Sequence, residues 1–142
     1  MPPVNPSRDE SVSLSVVAAE MTPMGLAVTT GARFAQMAAR YGEQTALVDG
    51  ERRWSFGELA AVAEHIAAAV AHAGRHPCDD STPIVISDHF SMELIASLVA
   101  CWLLGRPYAV LDPEWPPARR NAMVDYLGAT LILTSSRCGA GW

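Results

Sequence analysis

The sequence predicts an α/β fold built on a βαβαβ parallel sheet flanked by helices, and three observations carry that prediction. Three short apolar runs recur, Pro83–Ile86, Tyr108–Leu111 and Thr130–Thr134. They are uninterrupted rather than alternating, as parallel strands buried on both faces are. Helix-length segments separate them, from Phe90 to Leu104 and from Pro116-Pro117 to Gly128. Each segment ends at a glycine, Gly105 or Gly128, and Gly105 suits the left-handed position that closes a helix. Right-handed crossovers then set the local topology.

Ahead of this unit, residues 1–29 are rich in Pro, Ser, Thr and small side chains and are expected to form a loosely ordered arm. Thr29 or Thr30 can cap a first helix, on which Phe34, Met37, Ala38 and Tyr41 fall at i, i+3, i+4 and i+7 and make one apolar stripe. Gly42 can end it. Two strand-like runs, Thr45–Val48 and Glu51–Trp54, flank Asp49-Gly50, a hairpin signal because primed turns need positive φ. The next helix has the best-written start in the chain. Ser55 and Glu58 form an S-x-x-E capping box, and Trp54 and Leu59 stand where a hydrophobic staple would place them. Leu59, Val62, Ala63, Ile66 and Val70 share its apolar face, Glu64, His65 and His72 lie away from it, and Gly74 is a natural stop. Residues 75–82 make a polar connection to the first parallel strand, after which Ser87 or Asp88 can cap the following helix.

Composition narrows the function. Half of the 142 residues are hydrophobic and 18% are charged, which suits one globular domain with a real core. A net charge of −5 with no basic run argues against nucleic acid or an anionic membrane as partner. The three cysteines, Cys78, Cys101 and Cys138, carry no C-x-x-C spacing, and a reduced, cytoplasmic setting is expected. The apolar stretch from Val12 to Val28 is broken by Glu20 and Pro23, so no targeting segment is assigned. Phe90–Leu104 is short of the ~20 residues of a membrane span and reads as a core helix.

The turns after the parallel strands are where a ligand would sit in such a sheet. They read Ser87-Asp88-His89, Asp112-Pro113-Glu114 and Ser135-Ser136-Arg137, and none holds a glycine pattern that turns backbone N–H groups onto phosphates. Asp112 and Glu114 could be an acid/base couple, but Asp112 before Pro113 is a turn-former and Glu114 near a helix start is favoured by the helix dipole. Ser87, Asp88 and His89 resemble a triad only superficially, since adjacent residues on a turn rarely converge on one reacting atom, and capping explains them better. His72 and His76 are four apart with Cys78 nearby, yet Gly74 and Pro77 break the shared helical face that zinc would need. Trp54, Trp102, Trp115 and Trp142 are too dispersed for a stacking platform. No catalytic, cofactor-binding or metal-ligating residue is therefore assigned.

Two segments carry a family resemblance. Trp54-Ser55-Phe56-Gly57-Glu58-Leu59 resembles the first core motif of adenylation domains, and Gly105-Arg106-Pro107-Tyr108-Ala109-Val110-Leu111-Asp112-Pro113, with Pro116 and Arg119 or Arg120 beyond, resembles the second. The stretch from Phe34 to Val48 precedes them, and Leu131–Thr134 follows, as in that family. The Leu-Asp-Pro form is similar to the amino-acid-activating domains of non-ribosomal peptide synthetases, although Val110 stands where that family often has proline and Arg106 where a small residue is common. The resemblance implies the N-terminal portion of an adenylate-forming (AMP-binding) ligase over residues 30–136, with 137–142 a truncated tail. Full-length relatives would use ATP and Mg²⁺ to make an acyl-adenylate. It also implies that the phosphate loop and catalytic lysine are absent, since Thr134-Ser135-Ser136 is not followed by the glycine-glycine-lysine pattern. A sheet that stops after an apolar strand leaves an unpaired edge. The expectation is a fragment, inactive alone and binding no cofactor by itself, or else a non-catalytic interaction module whose partner is the remainder of a synthetase.

Overall fold

The computed structural model of the chain describes residues 29–73 and 81–135. Its elements run α1 (Thr30–Tyr41), β1 (Thr45–Asp49), β2 (Arg52–Ser55), α2 (Phe56–Ala73), β3 (Ile84–Ser87), α3 (Met92–Leu104), β4 (Tyr108–Leu111), α4 (Pro117–Leu127) and β5 (Ile132–Leu133). The arm, Gly74 with the connection to residue 80, and the tail lie outside the described residues.

β3 is the centre of a three-stranded parallel sheet ordered β4-β3-β5. Moving from β3 out to β4 and then back past β3 to β5 reverses direction. With right-handed crossovers, α3 and α4 are therefore carried to opposite faces. Ile84 and Ile86 face α2 and α3, where they form one cluster with Val70, Leu94 and Cys101. Their neighbours Val85 and Ser87 point the other way and are equally buried, at 0% and 1% exposure. Each fully buried Ile or Val side chain on β3 contributes about 1.5–3 kcal/mol.

Burial on both faces holds for β3 alone, and this corrects the expectation for all three strands. On β4, Tyr108 and Val110 are 40% and 48% exposed, because β4 has a neighbour on one side only among the described residues. β5 is shorter than the expected Thr130–Thr134, with pairing that starts where the Leu131 carbonyl accepts from Val85 N–H at 3.0 Å.

The helix caps and both glycine stops can be read in atomic detail. Thr29 Oγ1 accepts from Ala32 N–H at 3.1 Å and opens α1, whose predicted stripe is half-buried throughout. The capping box of α2 is reciprocal: Ser55 N–H donates to Glu58 Oε2 at 2.8 Å and Glu58 N–H to Ser55 Oγ at 3.1 Å. Trp54 packs against the cluster that holds Leu59, completing the staple. At the end of α3, Gly105 (φ +64°) donates to the Trp102 carbonyl and Arg106 to that of Cys101, the paired 5→2 and 6→1 bonds of a Schellman stop. Gly128 repeats the pattern on α4.

Several local expectations shift. Ser87 ends β3 and Asp88 lies in the loop after it; neither caps α3, which begins at Met92 with Ser91 Oγ accepting from Leu94 N–H at 3.2 Å. A strand end and a helix start compete for the same short polar run, and the pairing of Ser87 with Leu111 keeps Ser87 in the sheet. The hairpin turn is centred one residue later than Asp49-Gly50, since Asp49 pairs with Arg52 and Gly50 takes the first central position at φ +59°. Gly42 does end α1, as its C-cap, but in right-handed geometry (φ −48°), and it also serves contact: its carbonyl accepts from Gly57 N–H at 2.9 Å, fixing the start of α2 against the end of α1.

Candidate functional site

An order of β4-β3-β5 places the topological switch between β3 and β5, and their carboxyl ends open a crevice there. The crevice is a cleft of about 320 Å³. Val62 and Ile66 of α2 and Leu133 of β5 form its apolar wall; Asp88, Glu93, Ser97 and Ser135 supply the polar one.

Asp88 is 7% exposed and is held from two sides. Its Oδ1 accepts from the His89 backbone N–H at 2.8 Å and from the Ser135 hydroxyl at 2.8 Å, the second bond joining loops 47 residues apart. Ser97 donates its hydroxyl to the Glu93 carbonyl at 2.9 Å, back-bonding within α3. Ser87 Oγ is buried without a partner, on the opposite face of the sheet from Ile86. His89 turns outward, with Nε2 at 3.5 Å from Glu114 Oε1, both side chains more than half exposed.

The structure thus separates the residues that sequence adjacency had grouped. Ser87, Asp88 and His89 make no relay: the serine that meets Asp88 is Ser135, and the imidazole serves Glu114. Asp112 is a turn-former as expected, its Oδ1 accepting from Glu114 N–H at 2.9 Å. Glu114 differs from expectation, because α4 begins only at Pro117 and the carboxylate bridges to the loop after β3 instead of serving the helix. His72 is exposed at the end of α2, while His76 and Cys78 lie outside the described residues. Among the described residues no group of three His, Cys, Asp or Glu is placed to hold a metal.

Of the tryptophans, Trp54 packs on the core, Trp102 Nε1 donates to Tyr108 Oη at 3.3 Å, and Trp115 carries the Arg119 guanidinium 3.8 Å above its ring. Trp142 lies outside the described residues. Cys101 is buried, and burial pushes its thiol up to about 11 against the opposing pull of Arg106. That thiol packs and does not react at neutral pH. The contacts that sequence reading missed are long-range: Asp88–Ser135, His89–Glu114, and Arg106 Nη2 to the Thr82 carbonyl at 2.9 Å. Their one sequence signal is topological, since residues just after parallel strands gather at one edge of the sheet.

Among the described residues, the loops after β3 and β4 offer a nucleoside triphosphate no cradle of backbone N–H groups. The charged residues lining the crevice are the carboxylates Asp88 and Glu93, while Asp112 and Glu114 stand in the loop after β4, where Glu114 reaches His89. The first turn of α3 is occupied by Ser91 and carries Glu93, and α4 opens with Pro116 and Pro117, which have no N–H to offer a phosphate.

Comparison with known proteins identifies the surroundings. A family described as AMP-binding enzyme matches residues 34–140. A plipastatin synthase of Bacillus subtilis (strain 168) is 33% identical over 108 residues, which cover 76% of this chain and 3% of that protein. The crystal structure of IdnL1 superposes with a TM-score of 0.70 at 28% identity, covering 80% of this chain and 23% of that one. The non-ribosomal peptide synthetase FmoA3 in its AMPPNP-bound form gives 0.71 at 25% identity, covering 79% and 12%. The chain thus spans only a small part of the proteins it matches. The match over residues 34–140, on a fold shared with the N-terminal part of non-ribosomal peptide synthetase adenylation domains, shows that the chain belongs to the AMP-binding enzyme family.

Proposed function

We propose that residues 30–136 are the N-terminal portion of an ATP-dependent ligase that activates an amino acid or other carboxylic acid as its acyl-adenylate, and that this chain alone does not catalyse the reaction. The observation that carries the reading is the family match over residues 34–140, joined to a crevice whose charged lining residues, among the described residues, are the carboxylates Asp88 and Glu93. The sequence supports inactivity directly: all ten of its basic Lys/Arg residues are arginine, so no lysine can neutralise a transferring phosphoryl or acyl-adenylate oxygen. ATP and Mg²⁺ would be held by residues other than these.

The test is adenylate formation. With the purified chain, ATP, Mg²⁺ and a panel of amino and aryl acids, pyrophosphate release and ATP–pyrophosphate exchange are expected to stay at the no-enzyme rate. Adenylate formed by the isolated, folded chain would overturn the proposal.

One observation favours a second reading, a non-catalytic module that completes a split synthetase in the cytoplasm. His65, Ala69 and Ala73 of α2 with Leu131 and Leu133 line an almost wholly apolar cleft of about 270 Å³ beside the outer edge of β5. A remainder of the synthetase, produced as a separate chain, would cover it. Co-expression with the reading frame downstream separates the two: a stable complex with restored adenylation supports the split enzyme, and no association supports a portion of a single ligase.

A further inference from the structure

α1 presents a basic face on an acidic chain. The net charge of the sequence is −5, yet the 12 residues of α1 include two arginines and no carboxylate. Arg33, Gln36 and Arg40 fall at i, i+3 and i+7, are exposed, and lie on the side of the helix opposite the buried Gly31. Beside them a groove of about 170 Å³ runs over the half-buried Met37 and Tyr41. Along the helix axis the two arginines are ~10.5 Å apart, the rise of two turns.

The rest of the fold does not account for these charges. Among the described residues neither arginine has a carboxylate within ion-pair distance. Arg33 also works against its own helix, because it stands near the amino end, where the helix dipole disfavours a cation. Arg40 suits the carboxyl end, and its guanidinium lies 5.2 Å from the centre of the Tyr41 ring. Stacking of this kind leaves the edge of the guanidinium, with its fork of N–H donors, open to a planar acceptor. A residue that breaks a local rule with no compensation inside its own domain marks a surface with work to do elsewhere.

We infer that this face docks an acidic helical segment of a partner protein, one that carries two carboxylates seven residues apart with an apolar side chain between them. Each guanidinium can donate two parallel N–H bonds to one carboxylate. The ~10.5 Å between Arg33 and Arg40 is the spacing of residues i and i+7 on a helix lying along α1. Met37 and Tyr41 offer the intervening side chain an apolar contact. Two cations on a chain of net charge −5 neutralise too few phosphates to hold a nucleic acid. A second copy does not supply the segment either: among the described residues no helix of this chain has carboxylates seven apart, the nearest case being Glu58 and Glu64 on α2. The inference does not depend on the ligase reading.

Fluorescence anisotropy with the full 142-residue chain tests it. The probe is a labelled, side-chain-stapled helical peptide with Glu, Leu and Glu at i, i+4 and i+7, and its controls carry Gln or Lys in place of both Glu residues. Saturable binding of the Glu peptide is expected. It should weaken by about tenfold or more with the Gln peptide, and equally in an Arg33→Glu, Arg40→Glu double variant. That variant should bind the Lys peptide instead, a reversal that misfolding cannot produce. Arg53→Glu, which alters an exposed arginine on β2, should leave binding unchanged. No saturable binding, equal affinity for the Glu and Gln peptides, or an equal loss in Arg53→Glu would overturn the proposal. Tighter binding of a single-stranded oligonucleotide than of the Glu peptide would overturn it in favour of nucleic acid. Self-association of the unaltered chain that the double variant abolishes would overturn it in favour of a second copy.

Discussion

Gly31→Ala should destabilise the chain, although helix propensity alone says the reverse. Gly31 lies in the first turn of α1 and is the buried residue of that helix. A Cβ placed on it would stand 2.2 Å from the Trp102 carbonyl oxygen, 2.6 Å from the Trp102 carbonyl carbon and 2.9 Å from Leu103 N. All three are backbone atoms of α3, so no side-chain rotation relieves the clash. α1 must retreat by about 1 Å to restore contact distance, loosening the half-buried Phe34, Met37 and Ala38 behind it. Overpacking of this sort costs up to ~3 kcal/mol, whereas replacing glycine by alanine in a helix returns at most ~1 kcal/mol. The net expectation is a loss of about 2 kcal/mol. Urea unfolding followed by tryptophan fluorescence would show it as a midpoint lowered by about 1 M, taking a slope of ~2 kcal/mol/M. Ala32→Gly, at the exposed neighbouring position, is the control and should cost no more than ~1 kcal/mol. A Gly31→Ala chain as stable as the parent, or more stable, would refute the close approach of α1 and α3.

Three further outcomes follow from the same geometry. Ser55→Ala and Glu58→Ala should each cost ~1 kcal/mol, and the double variant less than their sum, because the two bonds of the capping box share one turn; a double-mutant cycle in urea measures this. Gly105→Ala meets open space, so its cost is the left-handed φ of +64° alone, ~1–2 kcal/mol, and Gly105→Asn should recover part of it. Cys101 has a thiol held up to about 11 in the folded chain against an ordinary 9.0, so folding favours its protonated form. Its contribution to stability is complete below pH 9 and is lost as pH rises towards 11; Cys101→Ala should flatten that alkaline decline in a pH series of unfolding midpoints.

Elements whose cause is local were legible without coordinates. The capping box at Ser55 and Glu58, the Trp54–Leu59 staple, the glycine stops at Gly105 and Gly128 and the strand Tyr108–Leu111 each depend on a few neighbouring residues with a fixed chemical preference. The family was legible for the same reason, because its two core motifs are built on those local features. Boundaries were less legible where two local preferences overlapped: Ser87, Asp88 and Ser91 can all cap a helix, and only pairing with β4 decides that Ser87 belongs to the sheet.

What tertiary structure alone decided is which distant groups meet. Sequence shows that Asp88 and Ser135 follow apolar strands, but their 2.8 Å bond requires β5 to lie beside β3 rather than beyond β4. The unequal burial of β3 and β4 has the same origin. Both are four-residue strands without a charge, and the strand with neighbours on both sides is sealed while the edge strand leaves Tyr108 and Val110 uncovered. Local sequence sets the conformation of a segment through short-range sterics and hydrogen bonds. The order of strands depends on which faces remain to be buried once those segments exist, and that is a property of the whole assembled sheet.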